Sequence, residues 1–163
     1  MIEIILRKME EKDIQNLYNY IHLNYVKKYF PEKEREQWEA HKRWYSFVIN
    51  SPTYLFYTIE SLSREFLGTV KFEMVSKTGA IISVYLIEKV RGKGYSEEAI
   101  FNSIEELKFE RPQIKKVYAY ILEENEISKK AFIRLGFKSK GIKEYSGAEH
   151  LLYEKEIDQE ERE

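Results

Sequence analysis

The chain has 163 residues, 43% hydrophobic and 34% charged, with a formal net charge of −1. That length fits a single domain around one substantial core, and the composition excludes a disordered chain. Acids and bases are interspersed and cysteine is absent, so bulk attraction to nucleic acid, disulfides, cysteine nucleophiles and thiolate metal sites all drop out.

The opening MIEIILRKMEEKD carries Glu3 inside its short apolar run, so neither a signal peptide nor a spanning helix is expected. Without cysteines or a membrane segment, the chain reads as a resident of the reducing cytoplasm, with no membrane partner. Ile2 to Arg7 reads as a first strand, and Asp13 as the cap of a helix striped by Ile14, Leu17, Tyr18 and Ile21. Residues 24–33 form an irregular connection interrupted by Pro31. A second helix fits Glu34 to Ile49, with Trp38, His41, Tyr45 and Val48 on one face and Ser51-Pro52 as its end. Three antiparallel strands follow: Tyr54 to Glu60, Phe66 to Val75 and Ala80 to Leu86, separated by the turns LSRE and SKTG. A helix begins near Tyr95, with Ile100, Ile104 and Leu107 at helical spacing, and Arg111-Pro112 breaks it. Val117 to Leu122 is a strand, Asn125 to Leu135 a short helix stopped by Gly136, and two last strands flank Ser146-Gly147. This order predicts one α+β domain over residues 1–157 and a frayed charged tail over 158–163.

The stretch Arg91-Gly92-Lys93-Gly94-Tyr95-Ser96 sits where a strand hands over to a helix. The first amides of a helix lack intrahelical partners and carry partial positive charge. Glycines let that backbone approach a bulky anion, and Arg91 and Lys93 add full charges, so the natural guest is a pyrophosphate. No serine or threonine follows Lys93, which excludes a triphosphatase P-loop, and the mostly antiparallel strands around the turn do not suit a dinucleotide fingerprint. Asn125, Ser128 and Phe132 fall at i, i+3 and i+7 on one helix face, two polar groups and an aromatic suited to an elongated polar ligand. Asn125 also reads as the cap of that helix, and Ile127, Ala131 and Leu135 as its core face. His22, His41 and His150 lie far apart and no carboxylate–histidine spacing joins them, so no metal site is expected.

Together these stretches resemble the GCN5-related N-acetyltransferase (GNAT) superfamily. Its acetyl-CoA motif R/Q-x-x-G-x-G/A is met by Arg91, Gly94 and, in third place, Ser96; its N-x-x-S/A and L-G-F motifs by Asn125, Ser128, Leu135, Gly136 and Phe137. The resemblance implies the GNAT fold, a single, mostly antiparallel, splayed central sheet of about seven strands with helices on both faces. It implies acetyl-CoA as co-substrate, held by amides near Val84 to Leu86 along the pantetheine arm and by Gly92, Lys93, Gly94, Tyr95 and Ser96 at the pyrophosphate. Phe132 would pack near the arm and Lys130 would reach a CoA phosphate. Late strands of this fold often pair two subunits, which leaves a homodimer open. The segment WEAHKRWY, residues 38–45, is further similar to acetyltransferases of nucleotide-linked 4-amino sugars of the pseudaminic acid pathway type, and the chain overlaps the ribosomal-protein N-terminal group. His41, Trp44 and Tyr45 are then candidate substrate contacts, with helix packing as their other reading.

The reaction implied is attack of a neutral amine on a thioester. An alkylammonium of pKa near ~10 gives up its proton at a cost of roughly 4 kcal/mol at neutral pH, so a general base helps. Two common family placements are missing: Ile81 stands for a fourth-strand glutamate and Phe132 for an acid tyrosine. The stand-ins are Tyr85, His41 and Glu73, with a backbone amide of Val84, Tyr85 or Leu86 facing the developing oxyanion. An amino sugar, whose ring oxygens withdraw electrons, would need less help with its proton. A nucleotide-linked 4-amino sugar is therefore the expected small-molecule acceptor. A protein N-terminus, a polyamine, or a catalytically silent acyl-CoA-binding role are the alternatives.

Overall fold

The computed structural model describes residues 2–21 and 38–157. The expected connection at 24–33, the first turn of the expected second helix and the tail at 158–163 lie outside them. The described chain runs β1 (Ile5–Lys8), α1 (Asp13–Ile21), α2 (Trp38–Asn50), β2 (Tyr54–Glu60), β3 (Phe66–Met74), β4 (Gly79–Leu86), a 3-10 turn (Glu88–Val90), α3 (Tyr95–Glu110), β5 (Lys116–Ile121), α4 (Glu126–Arg134), β6 (Lys138–Tyr145) and β7 (Ala148–Glu156). The strands form one sheet in the order β1-β2-β3-β4-β5-β7-β6, antiparallel except where β4 meets β5. This is the expected mostly antiparallel α+β sheet.

Boundaries move where a partner strand runs out. β1 starts at Ile5 rather than Ile2 because its partner β2 ends at Glu60, opposite Ile5. Ile2 reaches instead to the glycine turn, where a Cβ on Gly94 would lie 2.9 Å from its Cδ1. α1 begins at Asp13, which is its first residue rather than the expected cap: its almost fully buried carboxylate turns back to Arg7 and the Glu10 amide. Burial pushes its carboxyl up, but the paired bonds from Arg7 (both 2.7 Å) and the Glu10 amide (2.8 Å) outweigh this and hold it below its ordinary value. Arg7 also reaches Glu60 at 3.0 Å, tying β1, α1 and β2 at one corner.

Strand alternation divides the core. Leu55, Tyr57, Ile59, Val70, Phe72, Ala80 and Ile82 point to one face, where α3 lies: burial and the nearby carboxylates Glu106 and Glu110 push the Tyr57 phenol above its ordinary range. Phe56, Thr69, Lys71, Ser83 and Tyr85 point to the other, where the α2 residue Tyr45 packs 5.7 Å from Phe56. Helices thus cover both faces of the sheet.

Candidate active site

The sheet splits at its centre. β4 and β5 pair only from Gly79–Lys116 to Ile81–Tyr118. Beyond that, β4 continues to Leu86 and β5 to Ile121 without meeting, while β5 stays paired with β7 and β4 with β3. Past Ile81, alternate backbone groups of Ile82–Val84 face the gap rather than β5, and an extended ligand with amides of its own could add there as a strand.

A cavity of about 220 Å³ fills the split. Sites for whole drug-sized ligands run from ~300 to 1,000 Å³. This one is smaller. On the α3 and α4 side its wall includes Asn125, Ser128 and Phe132, and on the α2 side Tyr45, Phe56, Thr69, Lys71, Ser83 and Tyr85; Tyr120, Tyr145 and His150 close it from β5, β6 and β7. Asn125 fills both roles read from the sequence: its Oδ1 accepts from the Ser128 amide at 3.3 Å, capping α4, while its side chain lines the cavity. Phe132 is buried, edge-on to Phe137 at 4.8 Å, and Lys130 stands exposed on the outside of α4.

Above the split, Gly92 and Gly94 take φ of +74° and +90°, and Gly94 is the N-cap of α3. Both glycines and Lys93 are exposed, Arg91, Tyr95 and Ser96 half-buried. Left-handed glycines followed by a long helix turn successive amides outward, the arrangement that receives phosphate oxygens. Two acids, Glu97 and Glu98, sit in the first turn, and Arg134 of α4 bonds Glu97 at 2.7 Å, offsetting part of that negative charge. Val84 and Tyr85 line the cavity; Leu86 does not, and its side chain is in the core.

The catalytic stand-ins fare unevenly. Tyr85 is on the wall and 8% exposed. His41 is not: it is fully buried between α1 and α2, donating to the Ile14 carbonyl at 3.3 Å and packed between Tyr18 and Tyr45. A histidine on the same helical stripe as Tyr45 and Val48 follows that stripe into the core, and backs Tyr45 from behind. Trp44 lies off the stripe, exposed, stacked on Phe47 at 5.9 Å and away from the cavity wall. Glu73 pairs with Ile81, below the point where the strands part, and takes a long hydrogen bond of 3.5 Å from the Tyr54 hydroxyl. Sequence reasoning missed Lys71, Ser83, Tyr120, Tyr145 and His150. One signal was present: polar residues alternate with apolar ones in Thr69–Phe72 and Ile82–Tyr85, which marks a polar face in the middle of a sheet.

The profile of the acetyltransferase (GNAT) domain family matches residues 3–138. The chain belongs to that family. It is an N-acetyltransferase and acetyl-CoA is its donor, a ligand that both the open β4 edge and the glycine turn fit. Solved structures share its architecture. A domain from Methanocaldococcus jannaschii DSM 2661 is 23% identical with a TM-score of 0.78, over 95% of this chain and 99% of that one. The Vibrio cholerae spermidine N-acetyltransferase, solved with CoA and spermine, is 18% identical with a TM-score of 0.79, over 94% of both chains. The aminoglycoside acetyltransferase AAC(6')-Ib, solved with coenzyme A, is 17% identical with a TM-score of 0.80, over 94% of this chain and 95% of that one. No curated protein matches the sequence. Among the described residues no group of three or more His, Asp or Glu side chains gathers as a metal set, and no helix is long and apolar enough to cross a membrane.

Proposed function

We propose that this GNAT enzyme acetylates a small primary amine that also carries an anionic group, with a nucleotide-linked 4-amino sugar as the best candidate. One observation carries this reading: among the described wall residues the charged side chain is Lys71, and none is a carboxylate. A polyamine, such as the spermine bound by the Vibrio cholerae enzyme, brings several ammonium groups, each needing a carboxylate or a comparable acceptor. Lys71, its Nζ 5.8 Å from the Tyr54 ring centroid, puts a cation on that wall, and a wall with a cation and no described carboxylate suits a guest with a phosphate or carboxylate better than a polycation. Tyr45, Phe56, Tyr120 and Tyr145 offer ring faces to the body of the acceptor, while its nucleotide would lie outside the small cavity.

In this reading the donor enters from the α3 and α4 side. Gly92 to Ser96, with Arg91 and Lys93, hold its pyrophosphate; the open edge from Ile82 to Val84 holds its arm; Asn125, Ser128 and Phe132 flank it, and Lys130 reaches its outer phosphate. Bound there, it supplies an acetyl thioester. The Val84 amide, on the side of β4 turned away from β3, donates to the thioester oxygen, where charge develops. The Tyr85 hydroxyl gives its proton to the leaving sulfur.

Thiol release with a panel of amines tests the acceptor. A 4-amino sugar nucleotide should turn over faster than spermidine or an alanine-starting peptide, and Lys71→Gln should raise its KM by roughly tenfold, the worth of one charge-assisted contact. A preference for spermidine or the peptide moves the function to that branch. No turnover with any amine would favour an acyl-CoA-binding domain without catalysis. For Tyr85→Phe, kcat should fall roughly tenfold or more with CoA affinity unchanged, since ring and backbone remain; unaltered kcat in the folded variant removes Tyr85 from the mechanism.

A further inference from the structure

β6 and β7 are joined by a two-residue turn in which Ser146 and Gly147 both take positive φ, +51° and +81°. That turn pairs Tyr145 with Ala148 and, two residues on, sets His150 on the same side of the hairpin. His150 lines the cavity and is 6% exposed. Its Nδ1 lies 2.9 Å from the Ala148 carbonyl oxygen. A carbonyl only accepts, so Nδ1 carries the ring proton, and the neutral imidazole keeps its lone pair on Nε2. The tautomer is fixed by the backbone of the same hairpin.

The ring is also fixed in place. Tyr145 meets it edge-on at 5.6 Å and Tyr120 at 6.5 Å, and those two tyrosines stack on each other at 4.2 Å. The charged and titratable groups around it are Lys143, directly opposite on β6, Tyr145 and Tyr120, and, from the rest of the cavity wall, Lys71, Tyr85 and Tyr45. None of the described wall residues is a carboxylate. A base is needed all the same, with Ile81 at the usual glutamate position and His41 sealed in the core.

We infer that His150 is the general base of the transfer, taking the acceptor ammonium's proton on Nε2. The inference rests on the acceptor entering from the α2 side, as proposed above. Protons and electrons balance without a further reactant. The ammonium loses two protons in all: His150 takes the first, which frees the lone pair that forms the C–N bond, and passes it to solvent. The second compensates the proton that Tyr85 gives to sulfur, which leaves with the electron pair of the broken C–S bond.

Kinetics of His150→Gln test this with the best amine from the panel. The amide side chain keeps a donor for the Ala148 carbonyl and cannot titrate. Expected are a kcat lower by about a hundredfold, within the range of a lost general base, and loss of the acid limb of the pH–rate profile. CoA affinity and melting temperature should be unchanged, which a merely structural role would not give. A folded variant with kcat within about threefold of wild type, or with its acid limb intact, overturns the assignment. Should the variant not fold, ring-carbon NMR of His150 in the wild-type protein decides. An Nδ1–H tautomer that titrates in step with the rate supports the base; an Nε2–H tautomer, or one charge state throughout, overturns it. Wild-type protein inert toward every amine overturns the acceptor reading, and His150 with it.

Discussion

Gly68→Ala should be the most damaging single-methyl change in the protein. A Cβ at this position would lie 2.0 Å from the Tyr85 carbonyl oxygen and 3.0 Å from the Leu86 Cα, both of them backbone atoms of the neighbouring strand. No side chain can rotate away to make room, so β3 and β4 must separate or β3 must twist. Gly68 sits opposite Leu86 and beside the bulge where β2 slips register, at the end of β4 that has no support from β5. Forcing that end outward costs about 3 kcal/mol, the upper part of the usual range for overpacking. At roughly 2–4 °C per kcal/mol for a chain of this length, the melting temperature should drop by roughly 6–12 °C. Calorimetric titration should also show weaker CoA binding, because the displaced Tyr85–Leu86 backbone continues directly from the stretch of β4 that has parted from β5. Gly92→Ala is the control. Its Cβ meets nothing closer than an Ile127 methyl at 3.8 Å, so only the strain of a positive φ remains, about 1–2 kcal/mol. If the two variants melt alike, the close approach of Gly68 to β4 is not a constraint on the fold.

What the sequence shows and hides follows from the range of the forces involved. Turns and caps are local, so Ser51-Pro52, Ser146-Gly147, Asn125 and the start of α3 fall where the residues say. Register is not local. Lys71 and Glu73 are two residues apart on one strand face and look equivalent in sequence, yet only Lys71 reaches the cavity. The difference is that β5 still pairs with β4 at Ile81, opposite Glu73, and has left it by Ser83, opposite Lys71. The two histidines teach the same lesson in reverse. His41 drew attention through a motif resemblance, although its place on an apolar helix stripe already indicated burial. His150 stood in the last strand with no motif around it, and only the pairing of β5 with β7 carries it to the split. With Tyr120 opposite Leu152, His150 falls one step past the pair Ile121–Leu151, beside the free end of β5. Nothing in a linear reading of residues 116–156 fixes that register.

Gly94→Val should weaken CoA binding by about a hundredfold while leaving most of the fold intact. Gly94 has φ of +90°, which a β-branched residue does not adopt without strain of roughly 1–3 kcal/mol. Its new Cβ would also meet the Ile2 Cδ1 at 2.9 Å, but that atom ends a flexible side chain ahead of β1 and can give way. The cheaper response is for the turn to change conformation rather than for the protein to unfold. The amides of Tyr95 and Ser96 then no longer converge with those of Gly92 and Lys93. Hydrogen bonds to a charged acceptor contribute about 1.5–3 kcal/mol each, and a hundredfold in affinity is about 2.7 kcal/mol, so the loss corresponds to one or two of them. The phosphate assignment is isolated by a donor that lacks the nucleotide. Acetyl-pantetheine reaches the open edge of β4 but carries no pyrophosphate for the turn to hold. Wild type and Gly94→Val should therefore use it equally, while differing widely in KM for acetyl-CoA. Equal CoA binding by the two proteins would show that the turn does not hold the phosphates. An equal loss with both donors would show that Gly94 shapes the cavity itself, and that the pyrophosphate is held elsewhere.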